Sequence, residues 1–231
     1  MMQRVRGFNV ASIILATLAA ACSPISSAVS AQEAAVAIPA PSVDPVDSRT
    51  SATAILAGGC FWGVEGVFSH VRGVTGVTSG YHGGSAENAT YDRISSGTTG
   101  HAESVRITYD PRIVSYGTLL RVFFSVVTDP TTLNRQGPDV GSQYRSAIVA
   151  ANAEQRRVAT AYIAQLTRGA YWSRPIVTRV ESPMTYYRAE PYHQDFMALH
   201  PNHGYIRSWD APKLANFRAM YPSLYTATAA P

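Results

Sequence analysis

A short apolar run from Thr53 to Ala57 ends in Gly58-Gly59 and gives way at once to a different period, with Val64, Val67, Phe68 and Val71 at i, i+3, i+4 and i+7. The first segment reads as a buried strand and the second as the apolar stripe of a helix. Two glycines must therefore turn the chain from one into the other within a few residues. That switch commits the chain to packing a helix against a sheet, and Cys60 sits at the turn.

The same change of period recurs downstream. A second strand is expected from Gly73 to Tyr81, followed by the Gly-rich loop His82-Gly83-Gly84. From Ala102 to Tyr109, Glu103, Val105, Ile107 and Tyr109 share one face of a strand, and Ser104, Arg106 and Thr108 share the other. Glu103 is then a carboxyl on an apolar face. Tyr116, Leu119, Leu120, Phe123, Phe124 and Val127 fit an amphipathic helix that ends before Asp129-Pro130. Ser146 to Ala150 reads as a strand; Asn152 with Gln155 resembles a capping box opening a helix to about Leu166, and Ile176 to Glu181 gives another strand. This alternation predicts an α/β chain: a two-layer α+β sandwich with a ferredoxin-like mixed sheet covered by helices.

The ends read differently. Arg4 and Arg6 lead into the apolar stretch from Val10 to Ala21, which is too short to span a bilayer comfortably. Residues 1–31 are thus expected to be an export signal, and the protein to be periplasmic. Two exits fit: cleavage after Val29-Ser30-Ala31, or lipid attachment at Cys22 after Ala19-Ala20-Ala21, which would anchor a lipoprotein. Leu18 lies one position too far from Cys22 for the usual bacterial lipobox, which favours soluble release. Residues 32–51, rich in Ala, Val and Ser with Pro39, Pro41 and Pro45, read as a tether. The folded domain is expected over 52–225 as a monomer, with 226–231 as a tail.

The chain has 19 basic against 15 acidic residues, but Arg4 and Arg6 fall in the signal segment, which holds no acid. The small remaining excess, with no Lys/Arg run among aromatics, argues against a nucleic-acid partner. Cysteine is scarcer still. Cleavage removes Cys22 and lipidation blocks it, so Cys60 has no partner in its own chain and no disulfide framework is expected.

A thiol just inside a helix N-terminus faces unpaired N–H groups and the positive end of the dipole, both of which favour thiolate. A lone cysteine is more often a small buried hydrophobe. The Gly-Gly turn and the adjacent Phe61-Trp62 favour the nucleophile, because an aromatic pair at a turn does not readily point both rings the same way. His193, His200 and His203 cluster loosely, but without a cysteine pair or a His-Glu-x-x-His pattern no metal is expected. No phosphate loop or dinucleotide fingerprint follows a strand, so no bound cofactor is expected.

Gly58-Gly59-Cys60-Phe61-Trp62-Gly63-Val64-Glu65 resembles the nucleophile motif of the type A peptide methionine sulfoxide reductases. In the same order follow Gly80-Tyr81-His82-Gly83-Gly84, Tyr91, Gly97-Thr98-Thr99-Gly100-His101-Ala102-Glu103, Tyr109-Asp110-Pro111, Gln136-Gly137-Pro138-Asp139, Gly141-Ser142-Gln143-Tyr144-Arg145-Ser146 and Tyr192-His193-Gln194. The resemblance spans roughly residues 54 to 206.

It implies reduction of the S epimer of methionine sulfoxide, free or in oxidised proteins. Cys60 would attack the sulfoxide sulfur and be left as a sulfenic acid, with Glu103 as the proton donor. Tyr91 and Tyr144 match the family's phenol pair, and Phe61 and Trp62 its wall for the S-methyl group. Asp139 matches an acid that helps hold the substrate or the site; read from its neighbours alone, it is equally a turn former after Gly137-Pro138. Thr128, Pro138 and Val140 depart from the usual family residues. Many relatives carry a resolving cysteine near the C-terminus and this chain has none, which implies an external thiol, either a thioredoxin-like protein or a small dithiol. Two other readings of Cys60 stay open at this level: a peroxide sensor, and a Cys/His hydrolase using His101 or His193.

Overall fold

A computed structural model describes residues 1, 2 and 35–231. The expected signal segment, with Cys22 and both processing points, lies outside the described residues. Ala31–Pro231 forms one compact unit.

Strand β1 (Ala52–Gly58) turns through Gly59 and Cys60 into helix α1 (Phe61–Ser69), and β2 (Val74–His82) follows. A short helix α2 (Tyr91–Ile94) precedes β3 (Ala102–Tyr109). Helix α3 (Tyr116–Val122) runs on as a π-helical turn over Phe123–Val127. The strands β4 (Arg135–Gln136) and β5 (Asp139–Val140) form a separate hairpin before β6 (Ser146–Val149) and α4 (Ala153–Gly169). After β7 (Arg179–Glu181), β8 (Tyr187–Arg188) and α5 (Phe196–Leu199), a π-helical turn over Ile206–Asp210 leads into α6 (Ala211–Met220).

The main sheet has the order β7-β6-β1-β3-β2-β8. Strand β1 lies antiparallel between β3 and β6, β2 is antiparallel to β3 and β8, and β6 and β7 are parallel. The inner four, β6-β1-β3-β2, with α1 after β1 and α3 after β3, are the split βαβ units of a ferredoxin-like sheet. The mixed, helix-covered α/β architecture expected from the periodicity is what the chain adopts.

Each stripe lands where its period places it. Val64, Val67 and Phe68 of α1 pack with Leu119, Leu120, Phe123 and Phe124, and with Leu56, Val105 and Ile107 of the sheet, in one core. On β3, Glu103, Val105, Ile107 and Tyr109 are all buried, whereas Arg106 on the other face is exposed. The Asn152 side chain accepts the Gln155 N–H at 2.9 Å, as expected of a cap. The reciprocal arm differs: Gln155 Oε1 accepts from the Ala151 N–H, one residue before the cap.

Both ends of the folded unit depart from expectation. Residues 35–51 contain no helix or strand, but they are a docked strap rather than a free tether. Ile38 is 3% exposed in the core, and its carbonyl accepts from Arg121 Nε. The Pro39 carbonyl accepts from the Tyr162 hydroxyl and the Ala40 carbonyl from Gln165 Nε2, while Asp44 takes the Gly117 N–H at the start of α3. An extended proline-containing segment cannot satisfy its own backbone groups, and here α3 and α4 satisfy them. The C-terminal tail is also held, with the Val77 N–H donating to the Pro231 carbonyl and the Ala230 N–H to that of Ser69.

Candidate active site

Gly59 has φ +95°, and a methyl group there would overlap the Gln136 side chain, so the β1–α1 turn requires glycine on two counts. Cys60 immediately precedes the first residue of α1 and is 8% exposed. The opening beside it, bounded by Gln136, Pro138, Asp139, Tyr205, Trp209 and Lys213, holds about 10 Å³, room for little more than a water.

Sheet register brings Glu103 to the same place. Leu56 pairs with Val105 in an antiparallel ladder, so two residues on from Leu56 the end of β1 comes level with Glu103, two residues back along β3. The Phe61 N–H, the first of α1, donates to Glu103 Oε2 at 3.0 Å. Burial pushes the Glu103 carboxyl up to about 8; the Phe61 N–H opposes this, and Asp139 and Asp210 add to it. The carboxyl therefore keeps its proton at neutral pH.

The thiol behaves otherwise than its helix position suggested. Burial, then the charges of Asp210 and Glu103, push Cys60 well above the ordinary thiol value, against the Trp62 backbone N–H that favours the thiolate; Asp139 raises it further. The helix field is present, but desolvation and surrounding carboxyls outweigh it. In the resting site Cys60 is a thiol.

Tyr91 opens α2 and donates its N–H to Glu190 Oε1 at 2.9 Å. Tyr144 ends a 3-10 turn over Ser142–Tyr144. Both phenols are pushed up, first by burial and then by Glu103, with Cys60 contributing as well, so both stay protonated. Asp139, on β5, accepts from the Tyr205 hydroxyl and lies beside the opening. Burial raises its carboxyl, while the Tyr205 hydroxyl and Lys213 pull it back.

The aromatic pair divides its work. Phe61 is fully buried, 5.9 Å from the Tyr81 ring and 4.9 Å from His193. Trp62 is partly exposed, stacked on Phe196 at 3.7 Å, with its indole N–H donating to His193 Nδ1 at 3.1 Å. His203 and Tyr205 meet its edge. The three histidines thus serve aromatic packing: His193 and His203 around Trp62, and His200 on Phe196. Among the described residues, no group of three or more His, Cys, Asp or Glu is placed to hold a metal.

Cys60, Phe61, Trp62, Glu103, Asp139 and Tyr91 gather about the start of α1, and Tyr144 lies near enough to feel Glu103, Asp139 and Cys60 electrostatically. Tyr205, Trp209, Asp210 and Lys213 were not anticipated. Asp210-Ala211-Pro212 carries a helix-start signal, but nothing in it points to Cys60.

A hydrolase would hold a histidine against the sulfur. His101 instead uses its two ring nitrogens on the Gly84 N–H and the Ser85 carbonyl, and His193 turns its Nδ1 to the Trp62 indole N–H. A buried thiol beside a proton-holding carboxyl is equipped to accept an atom from an electrophile rather than to form an acyl enzyme. Fold and site together fit an oxidoreductase.

Relatives agree. The chain is 54% identical over 176 residues to peptide methionine sulfoxide reductase MsrA 2 of Mesorhizobium japonicum, covering 76% of this chain and 90% of that one. It is 52% identical over 188 residues to the protein of the same name from Synechocystis sp., covering 80% and 88%. Among solved structures, reduced Mxr1 from Saccharomyces cerevisiae matches with TM-score 0.61 and 28% identity, over 73% of this chain and 96% of that one. Methionine sulfoxide reductase A of Corynebacterium diphtheriae matches with TM-score 0.57 and 29% identity, over 73% and 88%. The family model for peptide methionine sulfoxide reductase matches residues 52–224, and the chain belongs to that family. It is a methionine sulfoxide reductase.

Proposed function

We propose that the chain reduces the S epimer of methionine sulfoxide, free or in oxidised proteins, with Cys60 as nucleophile and Glu103 as proton donor. The observation that carries this is the Glu103 carboxyl, bound to the first N–H of α1 beside Cys60 and protonated up to about pH 8.

The S-methyl group lies against Trp62, a contact suited to sulfur and an aromatic ring, while Phe61 packs inward beside it. The sulfoxide oxygen faces the hydroxyls of Tyr91 and Tyr144, which stabilise charge gathering there. Glu103 passes its proton to that oxygen and takes the Cys60 thiol proton as the sulfur attacks. The S–O bond of the substrate breaks, the oxygen ends on Cys60 as a sulfenic acid, and methionine leaves with its thioether restored. Asp139, held by Tyr205, keeps the opening in shape.

An external thiol then attacks the Cys60 sulfur, releases the oxygen as water and forms a mixed disulfide, which a second thiol resolves. Cys60 is the free cysteine among the described residues, which supports a thioredoxin-like protein or small dithiol as reductant. We propose further that residues 1–31 direct export to the periplasm, by cleavage after Ala31 or as a lipoprotein on Cys22; the intact mass of the exported protein distinguishes the two.

Separated sulfoxide epimers with excess dithiothreitol test the reading. Wild type consumes the S epimer and Cys60→Ser consumes neither; undiminished turnover by Cys60→Ser, or equal turnover of both epimers by wild type, refutes it.

A further inference from the structure

Glu190 is a half-buried carboxylate with both oxygens committed beside the site. Oε1 accepts the Tyr91 N–H at 2.9 Å, and Oε2 accepts the Tyr81 hydroxyl at 2.7 Å. Tyr91 opens α2, and Thr90 before it makes no side-chain cap, so the free N–H at the start of this helix is satisfied by a residue 99 positions along the chain. Tyr81 is fully buried and stands opposite Glu103 in the β2–β3 ladder, its ring 5.9 Å from that of Phe61. One carboxylate thus joins the strand beside the proton donor to the helix that begins with Tyr91.

The mount of this carboxylate is itself braced. Pro191 follows Glu190 and keeps it extended, at φ −55° and ψ 151°. The Ala189 N–H donates to the Ser79 carbonyl on β2. The Gln194 side chain closes the same junction, its Oε1 accepting the Ser79 N–H and its Nε2 donating to the Ser79 and Ala189 carbonyls. Burial raises the Glu190 carboxyl, but the Tyr91 N–H and the Tyr81 hydroxyl outweigh it and hold the group below the usual glutamate value. The Tyr91 ring packs on His193 at 4.4 Å, and His193 lies 4.9 Å from Phe61. Glu190 therefore fixes the backbone of Tyr91 while His193 supports its ring.

We propose that Glu190 is a positioning residue for sulfoxide reduction: by holding the Tyr91 N–H and the Tyr81 hydroxyl at once, it sets the Tyr91 phenol where the sulfoxide oxygen gathers charge. The inference rests on the role given to Tyr91 in the proposed reaction. A donor aimed at charge that develops in the transition state acts on the chemical step rather than on substrate binding. Displacing such a group slightly is enough to slow that step. Glu190 therefore acts on the rate of sulfenic acid formation, and does so through Tyr91.

Single-turnover formation of the Cys60 sulfenic acid, followed by rapid quench over a range of methionine S-sulfoxide concentrations, tests this with and without the Tyr91 hydroxyl. Glu190→Ala should slow the saturating rate about tenfold or more, by no more than Tyr91→Phe does. The half-saturating sulfoxide concentration should stay within about twofold. In a Tyr91→Phe background the same substitution should cost less than about twofold, whereas a merely structural role slows both backgrounds alike. Glu190→Gln should regain most of the wild-type rate, since its amide oxygen still accepts the Tyr91 N–H and its amide N–H donates to the Tyr81 oxygen. Should Glu190→Ala not fold, Tyr81→Phe removes one arm of the clamp and is read in the same two backgrounds: a loss confined to the background with the Tyr91 hydroxyl supports the proposal, and any other result overturns it. Equal losses from Glu190→Ala in both backgrounds, or a wild-type rate in that variant, overturn the proposal alone. A wild-type rate in Tyr91→Phe overturns it together with the role given to the Tyr91 phenol, so the two failures are told apart.

Discussion

Glu103 shows how one side chain's setting reaches into both rate and stability. Its proton is the one delivered to the sulfoxide oxygen, so single-turnover formation of the Cys60 sulfenic acid should fall as pH rises through about 8. Glu103→Gln should slow the same step by about a hundredfold or more, measured by rapid quench and trapping of the sulfenic acid. The stability effect has its own sign. The folded value of this acid is raised above the 4.5 of an unperturbed glutamate, so the folded state holds the extra proton. The carboxyl costs nothing below pH 4.5 and destabilises the fold increasingly as pH climbs toward 8. Glu103→Gln should therefore gain thermal stability over wild type between pH 5 and pH 9, a trend visible in calorimetric melting temperatures. That Glu103 lies on an apolar face is legible in the alternation of residues 102 to 109. That it also feels Asp139 and Asp210 is not, because both come from segments far along the chain.

Among the elements, those with a strong period are the ones the sequence discloses. The stripe of α1, the alternation of β3 and the Asn152 cap of α4 each encode a local geometry. Asn152→Ala should cost about 1 kcal/mol, seen in urea unfolding, and leave turnover intact because α4 does not line the site. Helix α6 is hard to read from sequence for a physical reason. Its apolar contacts are few, Leu214, Phe217 and Met220, and share their face with buried Lys213, so the stripe is weak in sequence although it packs on the core. The two-residue strands β4 and β5 are equally silent, being too short for any period to register, yet they carry Gln136 and Asp139 to the mouth over Cys60.

For the molecule as a whole, the folded unit reaches beyond the periodic segments at both ends. If the strap is part of it, Ile38→Ala should lower unfolding free energy by about 2 kcal/mol with turnover unchanged, whereas a free tether predicts no change. Composition could not reveal this docking, because an extended proline-containing stretch looks the same whether it floats or lies on α3 and α4. By itself the sequence determined the alternation of strand and helix, the turn that holds Cys60 and the apolar face of Glu103. Each depends on neighbours within a few residues. Only the tertiary structure decided that Cys60 rests as a thiol, that Phe61 goes inward while Trp62 is braced by Phe196 and His193, and that Asp210 stands at the start of α1. Those outcomes depend on burial and on charges brought together from β3, β5 and the C-terminal segment, and long-range proximity leaves no mark on local sequence.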